Sequence, residues 1–195
     1  GADAADAVNG QKGRIVIDDG RRFLMRSEES YDVITIDPPP PVGAAGSSLL
    51  YSTEFYALVK RRLKPGGVLQ QWFPYAPQDP TLDVYLAVAS ARSLTDSFPY
   101  VRAFRSVEGW GLHFIASSEP LAALTGAEAE RRMPQKARWD LVEWTPGMKA
   151  RDFFSLLFSK EIPIAALLAE DASVRITDDQ PVNEYYLLRR SLGVR

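Results

Sequence analysis

One stretch, Tyr31–Pro41, constrains this chain more than any other. It reads YDVITID followed by four consecutive prolines, Pro38–Pro41. Val33, Ile34, Thr35 and Ile36 are β-formers, so Tyr31–Asp37 is predicted to be a strand. Proline has no N–H to donate to a sheet ladder, and the strand must stop where the prolines begin. The chain therefore holds a carboxylate, Asp37, at the carboxyl end of a strand and before a rigid corner.

The surrounding pattern alternates strand and helix. Ala4–Asn9 reads as the end of a helix stopped by Asn9-Gly10, and Arg14–Asp18 (RIVID) as a short buried strand. Asp19-Gly20 is a turn signal, followed by a short helix over Arg21–Arg26. Phe55, Leu58, Val59 and Leu63 recur at helical spacing, predicting a helix over Thr53–Leu63 with Thr53 as its N-cap. Lys64-Pro65-Gly66-Gly67 ends it, and Val68–Phe73 is the next strand. A second amphipathic helix is predicted over Thr81–Phe98. Phe98–Phe104 and Gly111–Ser117 read as an antiparallel hairpin turning near Glu108-Gly109. Leu121–Arg132, Arg151–Phe158 and Ile164–Ala169 look helical. Thr177–Pro181 reads as a turn, and Glu184–Arg189 as a last strand or extended segment. Such alternation predicts an α/β fold with a mostly parallel sheet and helices on both faces. Ligands then bind outside the carboxyl ends of the strands.

Composition narrows the chemistry. The 195 residues suit one domain, residues 1–195. Lys+Arg number 23 against 25 for Asp+Glu, a net charge of −2, so there is no basic excess for a phosphate backbone and no nucleic-acid partner is expected. Cys is absent, which removes disulfides, zinc ribbons and thiol nucleophiles. His113 is the one histidine, so no multi-histidine metal site can form, and no metal is expected. No apolar run approaches the roughly 20 residues that span a bilayer. Gly1–Gly10 has no signal-peptide pattern either. The expectation is a cytoplasmic protein, or the soluble part of something longer.

Four groups of residues are candidates for chemistry. Asp37 can accept a proton from a substrate amine if partly desolvated, or simply cap the following loop. Asp18-Asp19-Gly20 can accept a hydrogen bond from an amino group such as that of adenine, or form an ordinary turn with a helix-capping Asp. Gln70, Gln71, Trp72 and Tyr75 can bond or stack on a ligand. Because side chains alternate along a strand, only one of Gln70 and Gln71 can face a given side. Thr177-Asp178-Asp179 can hold a cation or make local turn bonds. His113 reads as a core or surface histidine. No G-x-G-x-x-G loop precedes Arg14.

Four segments together resemble the spermidine synthase family of aminopropyltransferases: IDDGRRFL (Ile17–Leu24), YDVITIDPPPPVG (Tyr31–Gly43), LYSTEFYALVKRRLKPGGVL (Leu50–Leu69) and TDDQPVNEYYLLR (Thr177–Arg189). The similarity covers most of Arg14–Pro74. It implies a Rossmann-like sheet of the S-adenosylmethionine-dependent methyltransferase type. It also implies aminopropyl transfer from decarboxylated S-adenosylmethionine to a polyamine or other amine, with no permanently bound cofactor. By the resemblance, Asp37 matches the aspartate that helps deprotonate the attacking amine. Asp19 and Gly20 match the pair beside adenine, with Asp18 adjacent. Gln71 is the approximate counterpart of the family's glutamine; with Tyr75, whose ring can stack on a ligand, it is the candidate for substrate binding. Pro40 stands where the family commonly carries a second acid.

In the family's strand order, the first two strands lie between the third and fourth. The matches here begin at the third, so the expected sheet lacks its N-terminal strands. An absent segment, pairing of Arg14–Asp18 beside Tyr31–Asp37, or association with another chain, as in a homodimer, would each accommodate that. Three functional readings stand: an aminopropyltransferase-like enzyme, an S-adenosylmethionine-dependent methyltransferase, and a non-catalytic interaction module that lost the cofactor loop.

Overall fold

The computed structural model describes residues 13–38, 46–74, 84–169 and 174–194. The expected helix end at 4–9, Pro40 and Tyr75 lie outside them. Five strands form one mixed sheet in the order β1-β2-β4-β3-β5. They are β1 (Tyr31–Ile36), β2 (Leu63–Phe73), β3 (Tyr100–Arg105), β4 (Leu112–Ser117) and β5 (Glu161–Ile162). The helices are α1 (Gly20–Arg26), α2 (Thr53–Arg62), α3 (Val84–Ser97), α4 (Gly126–Arg132), α5 (Gln135–Val142), α6 (Ala150–Phe158), α7 (Ile164–Leu168) and α8 (Tyr186–Ser191).

β1 and β2 pair in parallel, joined by the crossover through α2. Val33 lies opposite Val68 and Ile36 opposite Gln71, with an irregularity between Tyr31 and Val33. That irregularity meets Lys64–Gly67, the expected turn, which is drawn into the start of β2. Gly67 has to be small there, because a Cβ would come 3.0 Å from the carbonyl oxygen of Tyr31. The expected hairpin forms, and β4 inserts between β2 and β3, antiparallel to both.

Alternation along β2 divides the sheet into two faces. Leu69, Gln71 and Phe73 are buried on one, with Leu112, Phe114 and Ala116 of β4. They meet Phe55, Tyr56, Leu58 and Val59 of α2 and Leu86, Val88 and Leu94 of α3 in one core. The helical spacing read from α2 is thus the spacing of its buried face. Its cap is Ser52, one residue before the expected Thr53: the Ser52 hydroxyl accepts from Phe55 N at 3.2 Å. The other face carries Gln70, Trp72 and His113, which share a cavity with Phe153, Leu157 and Phe158 of α6.

Three expectations are corrected. Arg14–Asp18 forms no strand: Ile15 is 65% and Ile17 98% exposed. A strand exists only through its ladder, and the edge of β1 away from β2 carries no described strand. Re-pairing of Arg14–Asp18 with β1 does not occur. Glu184–Arg189 contains the start of helix α8 instead of a strand, entered through Tyr185 at φ 50°. Leu121–Arg132 is helical only from Gly126, because Thr125 and Glu128 form a capping box that sets the start.

The C-terminal segment is part of the core. Ile176 is fully buried, and its backbone bonds Thr53 N and the Ser93 hydroxyl. The turn expected at Thr177–Pro181 forms, with reciprocal backbone bonds between Thr177 and Gln180. Arg21 grips Asp178 through two bonds of 2.8 and 2.5 Å and also donates to Leu49 O. The Arg21 guanidinium holds the Asp178 carboxyl below the usual range and is itself raised. This stabilisation is present above the carboxyl's unfolded pKa and fades as pH falls through its lower folded one. Asp178→Asn is expected to cost about 1–2 kcal/mol near neutral pH. It should also flatten the acid limb of urea-unfolding stability. A variant as stable as the parent at pH 7 would show that this clamp is idle.

Candidate functional site

The carboxyl ends of β1, β2 and β3 lie on the same side of the sheet, and β4, running the other way, begins there. Asp37 follows β1 directly and is exposed. It opens onto a cavity of about 1110 Å3 on the less covered face of the sheet. The floor comes from alternate strand residues: Thr35, Gln70, Trp72, His113 and Phe104. Phe153, Leu157 and Phe158 of α6 form the opposite wall. Trp110, in the β3–β4 turn, stands at the rim; its carbonyl accepts from Trp72 Nε1 at 3.1 Å. Gly111 permits that close fold-back at φ 94°, where a Cβ would come 2.6 Å from Phe73 O.

The cavity is apolar and aromatic for most of its length, with carboxylates at Asp37 and Glu108. Arg102 and Arg105 also line it. Arg102 is committed to Glu161 through paired bonds of 2.7 Å, which raise the guanidinium and lower the carboxyl. Beside Asp37, the Tyr51 ring is fully buried and its hydroxyl has no partner among the described residues. Burial holds that hydroxyl far above the ordinary tyrosine range, and the Asp37 charge adds to the effect. Tyr51 is therefore a neutral donor within electrostatic reach of Asp37.

The expected site residues separate into two places. Gln70 enters the cavity, and Gln71 does not. Gln71 is fully buried on the core face, where Tyr56 donates to its Oε1 at 2.6 Å and its Nε2 donates to Leu50 O at 3.1 Å. It ties α2 and the turn before it to the sheet. Asp18, Asp19 and Gly20 lie outside the large cavity. Asp18 lines a separate depression with Arg14, Arg26 and Glu29, and pairs with Arg22 at 2.9 Å. Asp19 caps α1, accepting from Arg22 N at 2.7 Å. A Cβ on Gly20 would meet nothing, so this side of the turn is open. Among the described residues no cluster of three or more His, Asp or Glu is placed to hold a metal.

Sequence reasoning missed Arg102, Arg105, Trp110 and the α6 aromatics as site residues. Trp110 sits in a turn, and Phe153 and Phe158 carry an ordinary helix-face pattern. Nothing local marks them as walls of a cavity that starts at Asp37.

Residues 2–116, which contain β1, β2 and their carboxyl ends, match the model of the spermine/spermidine synthase domain. The chain belongs to the spermine/spermidine synthase family. Polyamine aminopropyltransferase 2 of Hyperthermus butylicus is 29% identical over 179 residues, covering 90% of this chain and 56% of that protein. A polyamine aminopropyltransferase of Sulfurisphaera tokodaii is 28% identical over 131 residues, covering 67% and 43%. This chain thus spans about half the length of the curated relatives it matches. Spermidine synthase from Thermotoga maritima has the same fold, with a TM-score of 0.52 at 20% identity over 83% of this chain and 50% of that one. A spermidine synthase in complex with the transition state analogue AdoDATO superposes equally well, with a TM-score of 0.52 over 84% and 51%. The sheet is therefore of the spermidine synthase, methyltransferase-like type. Among the described residues of this family member, no helix is long and apolar enough to cross a membrane.

Two roles of Asp19 can be separated. Asp19→Ala should lower stability by about 1 kcal/mol through the lost cap, whereas Asp19→Ser should restore most of it. Calorimetry with decarboxylated S-adenosylmethionine then tests the carboxylate itself. Donor affinity lost in Asp19→Ser despite native stability would place Asp19 at the ligand, and unchanged affinity in both variants would leave it a cap alone.

Proposed function

We propose that this chain serves aminopropyl transfer from decarboxylated S-adenosylmethionine to an amine, with Asp37 as the group that takes the amine's proton. The observation that carries this reading is the position of Asp37, at the carboxyl end of β1 and at the mouth of the large cavity. An acceptor amine is an ammonium ion near neutral pH and must lose a proton to attack. A carboxylate at the mouth can hold that cation and then receive the proton. The amine nitrogen forms a bond to the carbon beside the sulfonium. The carbon–sulfur bond breaks, and its electron pair stays on sulfur as a neutral thioether. A sulfonium leaves readily, so alignment of nitrogen, carbon and sulfur is the main demand on the protein.

Asp18, Asp19 and Gly20 are assigned to the donor side through the family pattern and the open turn at Gly20. Gln71 acts from the core, by holding α2 and Leu50 beside the strand end. Tyr75 is assigned to acceptor binding through its residue type and its place in the sequence after β2. The acceptor is a polyamine or related amine, and the donor is a co-substrate rather than a resident cofactor. A cytoplasmic location accompanies this reading, because both co-substrates are small charged metabolites. No observation favours methyl transfer or a purely non-catalytic module.

The test is a mass-spectrometric assay with decarboxylated S-adenosylmethionine and putrescine. Methylthioadenosine and the aminopropylated amine should form together in equal amounts. Asp37→Asn should lower turnover by about 100-fold or more with the melting temperature unchanged. Parallel loss of turnover and stability would make Asp37 structural. Methylation of an acceptor with S-adenosylmethionine, and no reaction with the decarboxylated donor, would replace the proposal.

A further inference from the structure

His113 is the one histidine in the chain, and the transfer reaction as described leaves it without a role. It sits on β4 with its ring in the floor of the cavity, half-buried, opposite Trp72 on β2 and Phe104 on β3. Gln70 Nε2 lies 3.2 Å from His113 Nδ1. With the amide nitrogen donating, Nδ1 is the acceptor and the ring's proton sits on Nε2, a neutral tautomer.

The charged and polar groups around this ring come from every neighbouring strand. Asp37 lies beyond β1, Gln70 on β2, Arg102 and Arg105 on β3, and Glu108 in the β3–β4 turn. Arg102 is neutralised by Glu161. α6 contributes Phe153, Leu157 and Phe158 to the cavity lining and no charged group. Of these groups, Asp37 is the one whose charge acts on the imidazole, favouring its protonated form, while burial acts more strongly and holds it below the ordinary histidine value of 6.5.

We propose that His113 is a positioning residue that acts through Asp37: its neutral, Gln70-bound ring leaves the carboxylate free for the acceptor's ammonium group, and its protonation claims that carboxylate and expels the cation. The proposal rests on the amine-acceptor reading of Asp37. The physics is a competition between two cations for one anion. A second carboxylate acting on the imidazole could hold both; of the cavity's two carboxylates, Glu108 in the β3–β4 turn does not act on the ring and Asp37 does, and in the sequence Pro40 replaces the family's second acid. At neutral pH burial keeps the imidazole uncharged, so the carboxylate faces the amine alone. As pH falls through the ring's depressed pKa, an imidazolium forms beside it. Two positive charges near one carboxylate in an apolar cavity are strongly disfavoured.

Two measurements on the full chain test this. Because there is one histidine, its ring carbon and nitrogen resonances are unambiguous in labelled protein. The titration midpoint should lie below 6.5 and should move lower in Asp37→Asn, where the favourable carboxylate is gone. Saturation with putrescine should also move it lower. An unchanged midpoint in Asp37→Asn would overturn the proposal.

Calorimetry of putrescine binding between pH 5 and 7.5 is the second measurement. The dissociation constant should rise by about tenfold per pH unit below the ring's midpoint, as expected when only the neutral form is competent. His113→Gln, which keeps a polar side chain of similar reach, should remove that dependence, and His113→Asn should do the same if Gln disturbs packing. The same pH dependence in wild type and both variants would overturn the proposal, as would absence of amine binding at every pH. Amine binding that follows this pattern with no aminopropyl transfer would instead reject the proposed reaction and leave the His113–Asp37 competition standing.

Discussion

Everything at the site depends on the parallel pairing of β1 with β2. Parallel strands cannot be joined by a tight turn; they require a crossover, and α2 supplies it. Once Ile36 is set opposite Gln71, alternation assigns every side chain of both strands to a face. A slip of one residue would turn Gln70 into the core and Gln71 into the cavity. The same register places Asp37 just past the last paired residue, where no strand neighbour limits it.

The two faces of the sheet obey different physics. On the α2 and α3 side, Tyr51, Phe55, Tyr56, Leu69 and Phe114 are all but fully buried, and the polar Gln71 among them is satisfied through Tyr56 and Leu50. A buried amide left unpaired would be costly, so this bond also fixes how α2 lies on the sheet. On the other side Phe153, Leu157 and Phe158 of α6 line an open cavity with the strand residues. Asp37 sits at the seam. It influences Tyr51, rooted in the packed side, and His113, rooted in the open one. The strand end is thereby a polar point between a rigid core and an aromatic chamber.

Much of this was legible from local pattern. The β-branched run ending in Asp37, the apolar stripe of α2 and the hairpin around Gly109 express periodicities that hold wherever the segment is placed. The TDDQP turn was visible too, because Asx chemistry is local. Its partner was not: the pairing of Asp178 with Arg21 joins residues 157 apart in sequence. Arg14–Asp18 misled for the opposite reason. Its composition suits a strand, but strand formation is a property of a pair, and no described neighbour lies beside it. Glu184–Arg189 misled because short aromatic and aliphatic runs carry no clear period.

The sequence by itself determined a strand closed by an aspartate and prolines, an α/β alternation, and a chemistry without thiols or clustered histidines. Those follow from backbone geometry and residue type. Only the tertiary structure decided that Gln70 enters the cavity while Gln71 braces the core, and that His113 shares a chamber with Asp37. Each of these depends on register and on which face is covered. Both are set by contacts between segments far apart in the chain, and a local pattern contains neither.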